Sequence, residues 1–326
     1  MGKRFLFVFL DGVGVGAADS ARNPFEKAGS PFFPRGLPLG GRAPLPRGGH
    51  AVAIDACLGV AGVPQSATGQ SALFTGVNTP AHLGYHLFAF PNRPLRAVLA
   101  KQNLLKDAKA MGARAAFLNA YPGYSDLLSD RARVRLEDDG AVFAEGVPME
   151  LLRRFSVTTI MALSLRQPFF GIPELREERC VYQEYTNASL RGRGEDVPLW
   201  DEERAGAVLA NASRGWDVGL WEYFRTDLVG HESDPAKAEA LVRRIDALLE
   251  SLLSNLDLAE TTLVISSDHG NLEDTVEKGH TQNPVPLLAW GPDAPRLVER
   301  CRAITDVTPG ILEALGAGPG APEAGA

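Results

Sequence analysis

The run Phe5-Leu6-Phe7-Val8-Phe9-Leu10, six apolar residues that stop on Asp11-Gly12, constrains the fold more than any other stretch of this chain. A strand with one solvated face alternates apolar and polar residues, so an unbroken run predicts a central parallel strand covered on both faces. Asp11 is then delivered to the carboxyl end of that strand. Lys3 and Arg4 ahead of the run imitate a secretory leader, but six apolar residues are too few for a leader core and no small-residue cleavage pattern follows. Elsewhere no apolar stretch approaches the roughly 18 residues of a membrane span.

Further strands are predicted at Arg114–Leu118, Ser156–Leu163, Val218–Phe224 and Thr261–Ser267, the last rich in β-branched residues. Between the last two lies the clearest helix. Asp234 caps it, Pro235 opens it, and Ala238, Leu241, Val242, Ile245, Leu248, Leu249 and Leu252 keep the spacing of one buried face. Strand, helix, strand in this order predicts a parallel α/β sheet, whose ligands collect at the carboxyl ends of the strands. Asn23–Gly49 holds 12 glycines or prolines in 27 residues and reads as mostly loop. The stretch from Gly316 to Ala326 reads as disordered.

Composition narrows the function classes. The chain has 326 residues, 45% hydrophobic and 22% charged, with a net charge of −7, which suits a soluble globular protein of one large domain or a core with a second module. The acidic balance speaks against nucleic acid as a partner. Cys57, Cys180 and Cys301 are far apart and form no C-x-x-C pair, so neither a disulfide scaffold nor a cysteine zinc knuckle is expected, and a reducing cytoplasm is the simplest location.

Polar side chains cluster where the strands end. Asp11 follows the first strand, Asp227-x-x-x-His231 follows the Val218 strand, and Asp268-His269 follow the Thr261 strand, with His280 shortly after. The i, i+4 spacing puts Asp227 and His231 on one side of a helical turn. Alone such a pair reads as a surface ion pair. Together the three aspartates and three histidines make an O/N donor set suited to Mn²⁺ or Zn²⁺, and six donors suit two ions, a recurring device in phosphoryl transfer. The segment Pro64–Gly76 offers hydroxyls just before a predicted helix, where the backbone dipole favours an alkoxide and a bound phosphate. An ordinary capping serine would read the same way.

Taken in order, Phe9-Leu10-Asp11-Gly12-Val13-Gly14, Gln65-Ser66-Ala67-Thr68-Gly69, Thr226-Asp227-Leu228-Val229-Gly230-His231, Ser267-Asp268-His269-Gly270-Asn271 and His280-Thr281-Gln282-Asn283-Pro284-Val285-Pro286 make the chain resemble the alkaline phosphatase superfamily, nearest to its cofactor-independent phosphoglycerate mutase and phosphopentomutase branch. Ile304–Leu312 looks like that family's closing helix.

The resemblance implies an alkaline-phosphatase-like doubly wound α/β fold, with a mostly parallel sheet, helices on both faces and a smaller inserted cap. Residues 1–87 and 200–326 would be the core, and the arginine-rich segment 88–199 the cap. It implies that Asp11, Asp268, His269 and the nucleophile hold one ion, and Asp227, His231 and His280 the other. Ser66 is the implied nucleophile, because the family's phosphorylated hydroxyl precedes a glycine by the ten positions that separate Ser66 from Gly76; Thr68 is the second choice. The expected activity is phosphoryl transfer on a small phosphate monoester, of phosphosugar or phosphoglycerate type, through a phosphoserine.

Two departures accompany the match. Gln70 stands where the mutases have a histidine, and the chain is shorter than those mutases within the cap, where no substrate-binding residue aligns. Membership of the superfamily survives this, but a specific mutase activity does not follow. Alternatives are a metal-dependent phosphodiesterase and a non-catalytic metal-binding protein of the same fold. A sulfatase is disfavoured, since no arginine follows Ser66 in the required context.

Overall fold

A computed structural model describes residues 3–316 of the chain. Nine strands lie among them: β1 (Arg4–Leu10), β2 (Arg42–Leu45), β3 (Gly49–Ile54), β4 (Ala115–Phe117), β5 (Val134–Leu136), β6 (Val142–Ala144), β7 (Val218–Tyr223), β8 (Thr261–Ser266) and β9 (Val285–Trp290). Seven form one sheet in the order β2-β3-β9-β8-β1-β7-β4, and β5 pairs with β6 apart from it.

The apolar run explains why β1 sits inside this sheet. It pairs in parallel with β7 on one side and β8 on the other. Phe5, Phe7 and Phe9 enter the core on one face, and Leu6, Val8 and Leu10 enter the core on the other. None of the six is more than 2% exposed, so each contributes roughly the 1.5–3 kcal/mol of a fully buried side chain.

The fold is the alkaline-phosphatase-like α/β fold, with a mixed and mostly parallel sheet. Strands β8, β1, β7 and β4 run parallel, whereas β9 runs against β8 and β3, and β2 against β3. The reversal at β9 has a local cause: the loop leaving β8 returns at the same edge of the sheet, so the next strand starts where β8 ended. The loop between β8 and β9 therefore stays entirely at the carboxyl edge, where Asp268, His269 and His280 lie.

The helix Pro235–Asn255 is the one predicted, with the Asp234 carboxylate accepting from the Ala236 and Lys237 backbone N–H groups and the expected apolar face buried. It packs beside Glu202–Ser213, and both cover one face of the sheet. The Asn23–Gly49 loop includes only the helical turn Pro24–Ala28, strand β2 and the short turn Pro46–Gly48. The closing segment is helical over Val307–Gly316; of the stretch Gly316–Ala326 expected to be disordered, Gly316 ends this helix and the rest lies outside the described residues.

One expectation is corrected. Ser156–Leu163 is not a strand but the start of the helix Val157–Leu165, with the Ser156 hydroxyl accepting from the Thr159 N–H as its cap. Eight of its nine residues are buried, so it has no solvated face, and a short helix buried all round shows no helical period to separate it from a buried strand.

Residues 88–199 contribute to the sheet and to the cover on each of its faces. β4 closes the sheet edge beside β7, and Leu99, Leu104, Leu105, Ile160 and Met161 share the core of Phe5, Phe7 and Phe9. Leu175, Cys180, Val181 and Leu190 lie in the opposite core. The sheet needs both faces covered, and this segment supplies part of each cover. Several of its arginines lie outside, Arg135 paired with Glu137, Arg176 and Arg191 with Asp196, and Arg179 with Glu174 and Glu177, whereas the half-buried Arg131 donates to the Leu163 and Gln167 carbonyls. No helix among the described residues is long and apolar enough to cross a membrane.

Candidate metal centre

Four segments at the carboxyl edge of the sheet bring the candidate residues together. Asp11 leaves β1 with its N–H donating to the Tyr223 carbonyl at the end of β7. Gly12 follows at φ +68°, and a Cβ there would lie 2.7 Å from Asp227 Oδ1, so both conformation and space require glycine. Asp268 and His269 leave β8 fully buried. Asp227 and His231 share the helix Arg225–Glu232, with His231 Nε2 3.3 Å from Asp227 Oδ2. Ser66 is the first residue of the helix Ser66–Thr75 and is half-buried.

His269 is the centre of the arrangement. Its Nε2 lies 3.0 Å from Ser66 Oγ, 3.4 Å from Asp11 Oδ1 and 3.5 Å from Asp268 Oδ2. Its ring stacks on His280 with centroids 3.7 Å apart and planes 15° apart. His280 Nδ1 is 2.9 Å from the Pro64 carbonyl. That carbonyl can only accept, so Nδ1 carries a proton and Nε2 is the nitrogen left to face the other candidate ligands. His280 Nε2 faces His231 Nε2 at 3.2 Å and Asp227 Oδ1 at 3.5 Å. Such acceptors crowd one point only around a proton or a cation.

Ligand atoms of Asp11, Asp268 and His269 lie within 4.8 Å of one another, and so do those of Asp227, His269 and His280. The first group is the expected one, with Ser66 beside it. In the second, His269 joins Asp227 and His280, while the exposed His231 touches both from the rim. Thr68 takes no part, because its hydroxyl is turned to the Gln65 and Leu87 carbonyls.

The electrostatics demand positive charge. Asp11 Oδ1 and Asp268 Oδ2 are buried without a hydrogen-bond partner, a costly condition for anionic oxygens. Burial drives both carboxyl pKa values above the ordinary range, and at Asp11 the Asp268 charge adds to it. Burial alone would lower the pKa of His269, but Asp268 and Asp11 outweigh it and push it up to about 10. Burial likewise opposes the Asp227 anion, yet His280, His269 and Asn271 hold its pKa down to about 2. Orphaned carboxylate oxygens, imidazole nitrogens and a hydroxyl form a hard-to-borderline donor set that fits divalent ions.

Several supporting residues escaped the sequence reading. Gln70 Nε2 donates to Asp11 Oδ2 at 3.2 Å, which leaves Oδ1 as the bare oxygen. Asn271 Nδ2 donates to Asp227 Oδ1 at 2.6 Å. Glu222, on β7, accepts from the Thr158 hydroxyl at 2.6 Å, and burial together with the Asp11 charge pushes it up to about 7. Asn271 lies inside the Ser267–Asn271 motif and Gln70 directly follows Gly69 of the Ser66 motif, whereas Glu222 reads only as one more residue of a buried strand.

Residues 202–318 match the Metalloenzyme superfamily. The 2,3-bisphosphoglycerate-independent phosphoglycerate mutase of Desulforudis audaxviator is 34% identical over 133 residues, 37% of this chain and 26% of that protein. Its counterpart in Dinoroseobacter shibae is 30% identical over 122 residues, 35% of this chain and 24% of that protein. The matches thus span about a quarter of the length of these relatives. Among solved structures, the PH0037 protein from Pyrococcus horikoshii is similar with a TM-score of 0.55 at 14% identity over 99% of both chains. A magnesium-bound mutant of alkaline phosphatase from the Antarctic bacterium TAB5 gives 0.52 at 12% identity over 96% of this chain and 98% of that one. At these identities the likeness is one of fold.

Proposed function

We propose that this chain, which carries a Metalloenzyme-superfamily domain on an alkaline-phosphatase-like fold, is a two-metal phosphoryl-transfer enzyme that forms a phosphoserine at Ser66. The observation that carries the proposal is the convergence of Ser66 Oγ and two groups of ligand atoms on the single buried His269 ring. Asp11, Asp268, His269 and Ser66 would hold one ion, and Asp227, His231 and His280 the other. Mn²⁺ is the first choice for the metal and Zn²⁺ the second. When bound, such ions favour a deprotonated hydroxyl and neutralise phosphate charge.

The chain's own residues define the rest. Ser66, at the positive end of its helix, is aimed at the ligand cluster and open to solvent on its other side. Its oxygen attacks the phosphorus of a monoester in line, so a Ser66 O–P bond forms as the bond to the leaving oxygen breaks. Because His269 Nε2, 3.0 Å from Ser66 Oγ, would itself be a ligand, the hydroxyl proton leaves to solvent, to which the half-buried Ser66 is open. Hydrolysis of the phosphoserine by water makes the enzyme a phosphatase, whereas return of the phosphoryl group to a retained leaving group makes it a mutase. The mutase matches support a small substrate of phosphoglycerate type.

The test is covalent labelling. Wild-type protein incubated with Mn²⁺ and radiolabelled phosphate monoesters should retain acid-stable label, and Ser66→Ala should lose it while keeping its bound Mn²⁺. Label that persists in Ser66→Ala and vanishes in Thr68→Ala would reject Ser66. A screen of phosphorylated metabolites, with mass detection of free phosphate and of isomerised product, distinguishes phosphatase from mutase, and turnover of diesters alone would reject the monoester assignment.

A further inference from the structure

We infer that Glu273 is a positioning residue that ties the loops carrying both ligand groups into one unit, so that its loss weakens both ions together. The inference rests on the two-ion reading above. Glu273 is 1% exposed, and each of its carboxylate oxygens accepts two hydrogen bonds. Oε2 receives the N–H groups of Gly14 at 2.8 Å and Asn271 at 2.7 Å. Oε1 receives the Thr281 hydroxyl at 2.5 Å and Asn283 Nδ2 at 3.0 Å.

These four donors sit beside the ligands in the chain. Gly14 is three residues beyond Asp11, Asn271 is two beyond His269, and Thr281 is next to His280. One carboxylate therefore joins the loop after β1, the loop after β8 and the approach to β9. Backbone bonds run parallel to it: Leu272 N–H to the Gly12 carbonyl at 2.9 Å, Thr281 N–H to Gly270 at 3.0 Å, and Val15 N–H to Pro284 at 2.7 Å. At both Gly14 and Gly270 an added Cβ would overlap Glu273 Oε1, so the backbone closes on this carboxylate in a way that only glycine permits.

Glu273 is not itself placed to hold an ion. Both oxygens are occupied by neutral donors, and it belongs to neither ligand group. A positioning role makes a specific demand, namely an acceptor toward the Gly14 and Asn271 N–H groups, which cannot reverse. Toward Thr281 and Asn283 a donor serves as well, because a hydroxyl rotates and an amide flips. Glutamine meets that demand, and alanine does not.

The experiment titrates Mn²⁺ into metal-stripped wild type, Glu273→Ala, Glu273→Gln and Thr281→Val, read by calorimetry and by the spin coupling between paired Mn²⁺ ions in electron paramagnetic resonance. Glu273→Ala should raise both dissociation constants on the order of 10–100-fold, the usual cost of losing a group that orients metal ligands, and abolish the coupling. Glu273→Gln should stay within about threefold of wild type and keep the coupling, and Thr281→Val should fall between the two. Loss of one ion alone in Glu273→Ala, or equal damage from glutamine and alanine, overturns the inference. If Glu273→Ala does not fold, judged by circular dichroism of the metal-free protein, Thr281→Val decides, and unchanged affinity there overturns it. Wild type that binds fewer than two ions would reject the two-ion reading itself.

Discussion

His269→Ala is expected to cost the protein both ions at once and to lower turnover on the order of 10³-fold or more, the scale of losing a whole electrostatic device from a transition state. His269 Nε2 is the atom nearest to Ser66 Oγ, Asp11 and Asp268 together, and its ring is stacked on His280 in the second ligand group. Removing it leaves Asp11 and Asp268 buried with their orphaned oxygens and takes the support from His280. His231 makes the contrast. It is exposed and touches only Asp227 and His280, so His231→Ala should lose one ion and leave the Asp11 group loaded. Metal content by mass spectrometry, beside turnover of a phosphate monoester, checks both. Two ions retained by His269→Ala, or none by His231→Ala, would contradict the shared role of His269.

What could be read from the sequence follows from how locally each feature is determined. β1 was legible because covering both faces of a strand removes polar residues from it, and the run stops where Asp11 reaches the site. Pro235–Asn255 was legible because one face is wet, so its period and its Asp234 cap both show. Val157–Leu165 was misread for the opposite reason, since a helix packed on every side shows no period. How residues 88–199 join the sheet was not legible, because arginines advertise the outer surface of a segment, while Leu99, Leu104 and Ile160, which tie it to the sheet, are spread among them.

The candidate ligands stand in the sequence as short motifs at strand ends. Glu273 was not legible, since its bond to Gly14 joins residues 259 positions apart, and nothing in its own neighbourhood distinguishes it from a surface glutamate. The same holds for Gln70 on Asp11: the sequence marks a departure from the mutase pattern, and only the fold shows that the amide selects which aspartate oxygen stays bare.

Stripping the ions should turn this site from a source of stability into a liability whose size depends on pH. At a thousandfold excess of ion over its dissociation constant, one bound ion stabilises the fold by about 4 kcal/mol, so a chelator should lower the melting temperature by roughly 10 °C. In the metal-free protein the buried Asp11 and Asp268 have pKa values raised above their unfolded ones. A raised value means that the fold binds the proton more tightly than the unfolded chain does. That contribution is complete below the unfolded carboxylate range and is lost as pH rises through the folded values, about 8 for Asp11. His269, raised to about 10, works in the same direction, its contribution complete below its unfolded value and fading as pH climbs. Asp227, held down to about 2, has the opposite sign, but its loss lies below the working window.

Metal-free protein should therefore melt at progressively lower temperature between about pH 5 and pH 9, while ion binding, which needs the ligands deprotonated, strengthens over the same range. Asp11→Asn isolates the cause. It removes one uncompensated buried charge, so above about pH 8 the metal-free variant should be more stable than metal-free wild type, although it holds its ion poorly. Melting curves with and without chelator across this window make the comparison. A metal-free wild type that gains stability with rising pH, or an Asp11→Asn variant that is less stable without metal at the alkaline end, would show that the cluster is not strained by its own charge and that the cations are not what relieves it.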